Sequence, residues 1–363
     1  MEKKSKIKKL FDLYTSDLSF EEIEKLIKHD SPEVFQFFAK DISKKDLKHN
    51  KFIRFLLFIR NLFNAFLLKL TPARRVIYLA AIIIITIGIF FSITSYIILS
   101  FLMLNLLIAF ELADKLTTTD EISLAKSIQE NLIPENPPIN DYYEIATYYK
   151  SARIISGDYF DFIKCPHHKD SFYLIIGDIS GKGLASALYM VRVQAILQSL
   201  INAYSEMKDI LCNLNKYFSQ NLSQGYFLTL LLAKIDGLGN ISLSRAGHTP
   251  LVFYKSSEMQ FKEYNPKGLG IGLNKGPVFE SSIEEIILSP EKDDILFFYT
   301  DGVTEAMDSV KNEYGIKRIK DLIYENKNKS VSEISLLVQQ SITKFRGTAP
   351  LNDDITFILI KKK

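Results

Sequence analysis

Aspartates at four separate places in the sequence mark where this chain could do chemistry. Gly157-Asp158 opens one apolar segment, and Gly177-Asp178 closes another before the Gly-rich turn Ile179-Ser180-Gly181-Lys182-Gly183. The apolar run Leu296-Phe297-Phe298-Tyr299-Thr300 ends at Asp301-Gly302, and Asn352-Asp353-Asp354 begins the last one, Ile355–Ile360. A single Asp-Gly pair reads most simply as a turn, because both residues favour such backbone. Four carboxylates at the ends of buried strands are costly if they converge unpaired, since like charges repel in low dielectric. A hard divalent cation removes that cost: Mg²⁺ and Mn²⁺ prefer oxygen ligands and retain several waters. With two such ions, hydroxide forms near neutral pH and can attack phosphorus in line.

The elements that must position these groups lie from Tyr142 onward, where apolar alternation is broken by Gly and Asp turns. The pattern predicts strands over 142–150, 158–164, 171–178, 226–236, 240–245, 250–255, 283–288, 294–300 and 354–361. It predicts helices over 183–204, 207–222, 314–325 and 331–345. Many antiparallel-looking strands with helices grouped between them point to a layered α+β domain over 139–363 rather than alternating βαβ units. That region carries 26 basic and 26 acidic residues, which argues against a nucleic-acid surface.

The first part of the chain has a different character. At 363 residues the chain is long enough for more than one domain, and its net charge of +3 divides into +7 over residues 1–75 and −4 over the rest. Nine basic residues between Lys44 and Arg75 face only Asp46, and then 35 residues, Val76–Phe110, carry no charge at all. A bilayer core needs ~20 apolar residues, and a signal peptide is shorter and ends in a small-residue cleavage pattern. The polar patch Ser92–Tyr96, preceded by Gly88, splits the run into two short spans, roughly 76–91 and 97–112. With Lys69, Arg74 and Arg75 held cytoplasmic, a hairpin returns the remainder of the chain to the cytoplasm. The expected organisation is a basic helical region (1–75), a membrane hairpin (76–112), a linker helix (113–138) and the α+β domain (139–363), placed at the inner membrane as a multi-pass protein. Residues 51–70 read either as an interfacial helix on anionic lipid or as a helix packed on its own region. Pro72 suits the start of the first span. Thr118-Thr119-Asp120-Glu121 reads as the start of the linker helix, and its stripe Ile122, Ala125, Ile128 and Leu132 could pair with a second copy. Cys165 and Cys212 lie far apart and have no zinc spacing, so Cys165-Pro166-His167-His168 reads as a hairpin loop.

Taken in order, SGDYFDF (156–162), GDISGKGLASAL (177–188), RAGHTP (245–250), GLGIGL (268–273), YTDGVTEA (299–306) and NDDIT (352–356) carry a resemblance. They are similar to the successive motifs of PPM-type, metal-dependent protein Ser/Thr phosphatases. The branch is the bacterial one of the sporulation stage II E and sigma-B regulator phosphatases, and LAKSIQENLIPENPP (124–138) resembles the helix that precedes the catalytic domain there. The resemblance covers about 120–361. It implies a four-layer α-β-β-α sandwich and hydrolysis of phosphoserine or phosphothreonine on a signalling partner by a metal-activated water. Two Mn²⁺ or Mg²⁺ ions would be held by Asp158, Asp178, the Ile179 carbonyl, Asp301 and Asp353, with Asp354 the alternative to Asp353. Asp158 and Asp178 would activate the water between the ions, and Gly181, Lys182 and Gly183 would lie on the phosphate side. The implied partners are a phosphorylated protein (in this branch an anti-sigma-factor antagonist), membrane lipid and a second copy through the linker helix, with no nucleic acid. Ser156 stands where the family commonly has Gly, and His248 reads as structural rather than as an acid catalyst. A catalytically silent scaffold of the same fold is the alternative function, signalled by loss of a ligand aspartate; none is missing here.

Overall fold

The computed structural model describes residues 70–363 except 169, 182, 222–224 and 275, together with residues 60, 63, 64, 67 and 68. The expectations for residues 1–50, most of those for 51–70, and the one for Lys182 therefore lie outside the described residues. The chain forms two compact units, 1–117 and 118–363.

In the first unit, α1 (Pro72–Phe90) begins at its proline, whose missing N–H and fixed φ suit the first helical position. At 19 residues it is ~28 Å long, close to a hydrocarbon core. After a short turn, α2 (Thr94–Glu130) runs back along α1. Small residues make the contact: the buried Ser100 hydroxyl donates to the Ala81 carbonyl at 2.7 Å, and Gly88 packs against Tyr96 and Ile97. At the open end Arg74 pairs with Glu111 at 3.1 Å and Asp114 at 2.7 Å. The outer faces expose Ile83, Ile89, Phe101, Leu102, Leu106 and Ile108.

The linker helix does not start at Thr118–Glu121, contrary to the sequence reading; α2 passes through these residues without a break. Capping residues permit a helix start but do not force one, and 94–130 contains neither Gly nor Pro to stop the helix.

Among the described residues the second unit is built from ten strands. They are β1 (Tyr143–Lys150), β2 (Asp158–Lys164), β3 (Phe172–Ile179), β4 (Leu228–Ile235), β5 (Ile241–Ala246), β6 (Leu251–Lys255), β7 (Gln260–Tyr264), β8 (Glu285–Leu288), β9 (Ile295–Tyr299) and β10 (Ile355–Lys362). The helices are α3 (Leu184–Ala203), α4 (Met207–Asn221), α5 (Pro277–Ser282), α6 (Asp301–Thr304), α7 (Ile316–Glu325) and α8 (Val331–Arg346). Two antiparallel five-stranded sheets form, ordered β1-β10-β9-β6-β7 and β2-β3-β4-β5-β8. Apolar side chains from both sheets, among them Ile176, Leu231, Leu296 and Ile358, share one core with Met190, Val193 and Leu197 of α3 and Leu211 and Leu214 of α4. A second core lies between the first sheet (Phe297, Phe357, Leu359) and α7 and α8 (Ile319, Ile323, Ile334, Val338). Helices and sheets therefore stack as the α-β-β-α sandwich, and β3 and β10, covered on both faces, read as near-continuous apolar runs. β7, α5 and α6 had no counterpart in the sequence reading.

Candidate active site

The sandwich delivers the acidic residues to one place. Asp158 is the first residue of β2 and Asp178 lies one from the end of β3; the antiparallel register sets them directly opposite each other. From the other sheet, Asp301 is the first residue of α6, immediately after β9, and Asp353-Asp354 immediately precede β10. Those two segments touch: a Cβ on Gly302 would sit 1.9 Å from the Asp354 carbonyl oxygen, so only glycine lets the backbones approach this closely.

The buried Asp158 bridges the sheets. Its Oδ2 accepts from the Thr300 hydroxyl at 2.8 Å and from the Thr356 hydroxyl, one from the end of β9 and one from within β10. Burial, then the charges of Asp178 and Asp354, hold the Asp158 carboxyl well above the usual aspartate range, against the two threonine hydrogen bonds. Burial and the charges of Asp301, Asp353 and Asp354 push Asp178 up to about 7. Carboxylates raise one another in this way only when they share a small, dry volume.

The adjacent pair Asp353-Asp354 divides its work. Asp354 is surrounded by donors: the Ala152 amide at 2.7 Å, the Gly157 amide at 2.9 Å and the Ser156 hydroxyl at 2.6 Å. It ties the loop 151–157 to β10. Asp353 lines a cleft with Arg153, Ile155, Gly181 and Gly183. Gly183 has φ +89, a left-handed backbone open to glycine, and the Arg153 guanidinium lies beside it.

Among the described residues no group of three or more His, Cys, Asp or Glu side chains is set, as it stands, to hold a metal ion. The donor chemistry nevertheless fits one. The set is oxygen-only, mutually repelling and beside a cleft, which is what a hard divalent cation stabilises and a softer metal does not. Asp158, Asp178, Asp301 and Asp353 are the residues that would hold it, with the Ile179 main chain adjacent.

The motifs RAGHTP and GLGIGL serve packing. A Cβ on Gly268 would lie 1.6 Å from the Arg245 carbonyl, and Arg245 bonds the carbonyls of Pro266 at 3.0 Å and His248 at 2.6 Å. Buried His248 bonds Thr229 through Nδ1 at 2.9 Å; burial, with the Arg245 charge adding, lowers its pKa to about 3, so it is a neutral structural group at neutral pH.

Several residues here escaped the sequence reading. Thr300, Thr356 and the hydroxyl of Ser156 become meaningful only once the two sheets meet. Arg153 left one signal, a cation five residues before Asp158 in a loop rich in small residues.

Comparisons with known proteins bear on the family and the fold. Residues 168–363 match the model of the stage II sporulation protein E family. The phosphoserine phosphatase RsbU of Bacillus subtilis is 28% identical over 247 residues, covering 67% of this chain and 70% of that protein. The phosphoserine phosphatase RsbP of the same organism is 28% identical over 254 residues, and the chain spans only 59% of its length. In structure, the PP2C domain of SiaA from Pseudomonas aeruginosa superposes with a TM-score of 0.59 at 17% identity, over 69% of this chain and 98% of that one. The PP2C phosphatase domain of SpoIIE from Bacillus subtilis, with a fragment of its regulatory domain, gives 0.52 at 18% identity, over 62% and 64%. At these identities the structural neighbours establish the fold alone. The family match covers more than half of the chain: the chain belongs to the stage II sporulation protein E family, on a PP2C phosphatase fold.

Proposed function

We propose that the chain is a membrane-tethered, metal-dependent phosphatase that removes phosphate from serine or threonine of a signalling partner protein. Its family and its phosphoserine phosphatase relatives make it a protein phosphatase hydrolase. The observation that carries the mechanism is the meeting of Asp158 and Asp178, opposite each other in one sheet, with Asp301 and Asp353 from the other.

Each of the chain's own groups has a task. Thr300 and Thr356 hold the Asp158 carboxylate in one orientation, and Asp354 holds the loop that carries it. Asp158, Asp178, Asp301 and Asp353 would supply the negative oxygen shell for two Mn²⁺ or Mg²⁺ ions. When bound, the cation supplies Lewis acidity and makes water reactive at neutral pH. Arg153, with the amides of Gly181 and Gly183, meets the phosphoryl oxygens, a pairing suited to the guanidinium fork. No side chain need form a covalent phosphoenzyme.

Tethering is supported by α1 and the apolar half of α2, both long and apolar enough to cross a bilayer. The third such helix, α3, buries Met190, Val193, Leu197 and Ile201 in the core and has another use. Arg74 and Arg75 at the start of α1, with Lys69 shortly before them in the sequence, suit a cytoplasmic face, which puts the phosphatase unit in the cytoplasm of a multi-pass inner-membrane protein. An anti-sigma-factor antagonist is the partner proposed, with dimerisation through the stripe Ile122, Ala125, Ile128 and Leu132, of which Ile128 is exposed.

The test is hydrolysis of p-nitrophenyl phosphate and of a phosphoserine protein by the full chain in detergent, with and without Mn²⁺. Metal-dependent release of phosphate is expected. Equal rates in EDTA would reject the metal mechanism, and no turnover with intact fold would favour the silent scaffold.

A further inference from the structure

One side chain outside the cleft holds the loop that lines it. Gln129, the second-last residue of α2 and part of the 118–363 unit, is buried at 3% exposure. Its carboxamide satisfies both backbone groups of a single residue. Nε2 donates to the Ser156 carbonyl at 2.7 Å, and Oε1 accepts from the Ser156 N–H at 3.0 Å. The amide orientation is forced, because a backbone N–H only donates and a carbonyl only accepts. Ser156, itself fully buried, carries the constraint onward: its hydroxyl donates to Asp354 Oδ2 at 2.6 Å and accepts from the Asp158 N–H at 3.0 Å. Two hydrogen-bonded steps thus join the end of a helix to the backbone of a metal-side aspartate.

A packing role does not account for this arrangement. Burying a carboxamide is costly unless both its halves are paired, and an apolar residue of the same length fills space without that demand. Both halves are spent on the one residue that also fixes Asp158 and Asp354.

We propose that Gln129 is a positioning residue, clasping the Ser156-Gly157-Asp158 loop so that the seat of the α2 end sets the geometry of the metal-side aspartates. The proposal rests on the phosphatase reading above. Residues that orient metal ligands from behind typically contribute ~10- to 100-fold in metal affinity or activity.

Three variants of the full chain in detergent test it, read by isothermal titration with Mn²⁺ and by kcat and KM for p-nitrophenyl phosphate. Gln129→Met keeps the length and removes both hydrogen bonds; Mn²⁺ Kd is expected to rise ~10- to 100-fold and kcat to fall, with KM little changed. Gln129→Glu keeps the acceptor for the Ser156 N–H but sets an oxygen against its carbonyl, and is expected to weaken Mn²⁺ binding too. Leu211→Ala, in the α4 core, is expected to lower Tm and leave Mn²⁺ Kd unchanged. Wild-type Kd in either Gln129 variant, or an equal rise in Leu211→Ala, overturns the proposal alone. Absence of Mn²⁺ binding by the wild-type chain overturns the metal-site reading and the proposal with it.

Discussion

The same dipeptide chemistry occurs in two regions with opposite electrostatics. Asp236-Gly237, in the turn between β4 and β5, and Asp301-Gly302, after β9, are indistinguishable as sequence. Asp236 accepts from the amides of Leu238 and Asn240, each at 2.8 Å, and from the Asn240 side chain at 3.0 Å. Burial pushes its pKa up, but these donors outweigh it and hold the carboxyl below the usual range. Asp308 repeats the device with the side chain and amide of Asn312 and the amide of Val310, and is lowered likewise. Around Asp178 the neighbours are Asp301, Asp353 and Asp354, and the shift runs the other way. A turn aspartate is surrounded by donors from its own loop, which makes it self-sufficient. Asp178 is buried and crowded by carboxylates from distant segments, a repulsion that a cation brought from outside would relieve.

The largest effect that could break this contrast is at Asp178. Asp178→Asn removes one charge from the repelling set, so turnover should fall by more than ~100-fold, beyond the range of supporting residues. The same change should raise Tm in EDTA, because the repulsion is relieved, while the rise in Tm on adding Mn²⁺ should disappear. Scanning calorimetry in EDTA and in Mn²⁺ reads both arms. A lower Tm in EDTA would mean that Asp178 is stabilised by the chain alone, like Asp236.

His248 asks whether burial without neighbouring carboxylates is enough to shift a group. It faces Thr229 and Arg245 and has a folded pKa of about 3 against an unfolded value near 6.5. Protons bind more readily to the unfolded chain between these values, so the contribution is fully present above pH ~6.5 and is lost as pH falls toward 3. Between pH 6.5 and 4.5 the wild type should lose about 2 kcal/mol that His248→Gln does not lose. Urea unfolding of both proteins at the two pH values measures the difference, and parallel curves would remove burial as the cause.

How much of this was legible follows from the range over which each feature is determined. Strands such as β3 and β10 declare themselves because their apolar residues are local, and the strand-end aspartates stand out against them. β7 (QFKEY) did not, since it is an exposed edge strand whose pairing with β6 supplies what its composition lacks. The continuity of α2 was hidden by Thr118–Asp120, residues that are good caps but tolerable helix members. At the site the acids were readable, whereas their supports were not. Thr300 and Thr356, 56 residues apart, are brought together by the pairing of β9 with β10, and they reach Asp158 only because the other sheet packs against theirs. The donors that surround Asp354 come from the 151–157 loop, a contact that no spacing reveals.

The smallest effect tests the self-sufficient side of the comparison. Asp236→Ala removes three hydrogen bonds from a partly exposed turn, where water replaces part of what is lost, so stability should fall by only about 1 kcal/mol. Because the folded carboxyl titrates below its unfolded value, its contribution is present above pH ~4 and is lost as pH falls through the lower folded value. The wild type and the variant should therefore converge in stability in acid, while Mn²⁺ affinity and turnover stay the same in both. Acid-limb unfolding curves together with a Mn²⁺ titration decide it. A loss of metal binding on removing Asp236 would mean that the two kinds of aspartate are coupled, and that donor-rich turns and acceptor-rich sites are not the separate solutions their surroundings make them.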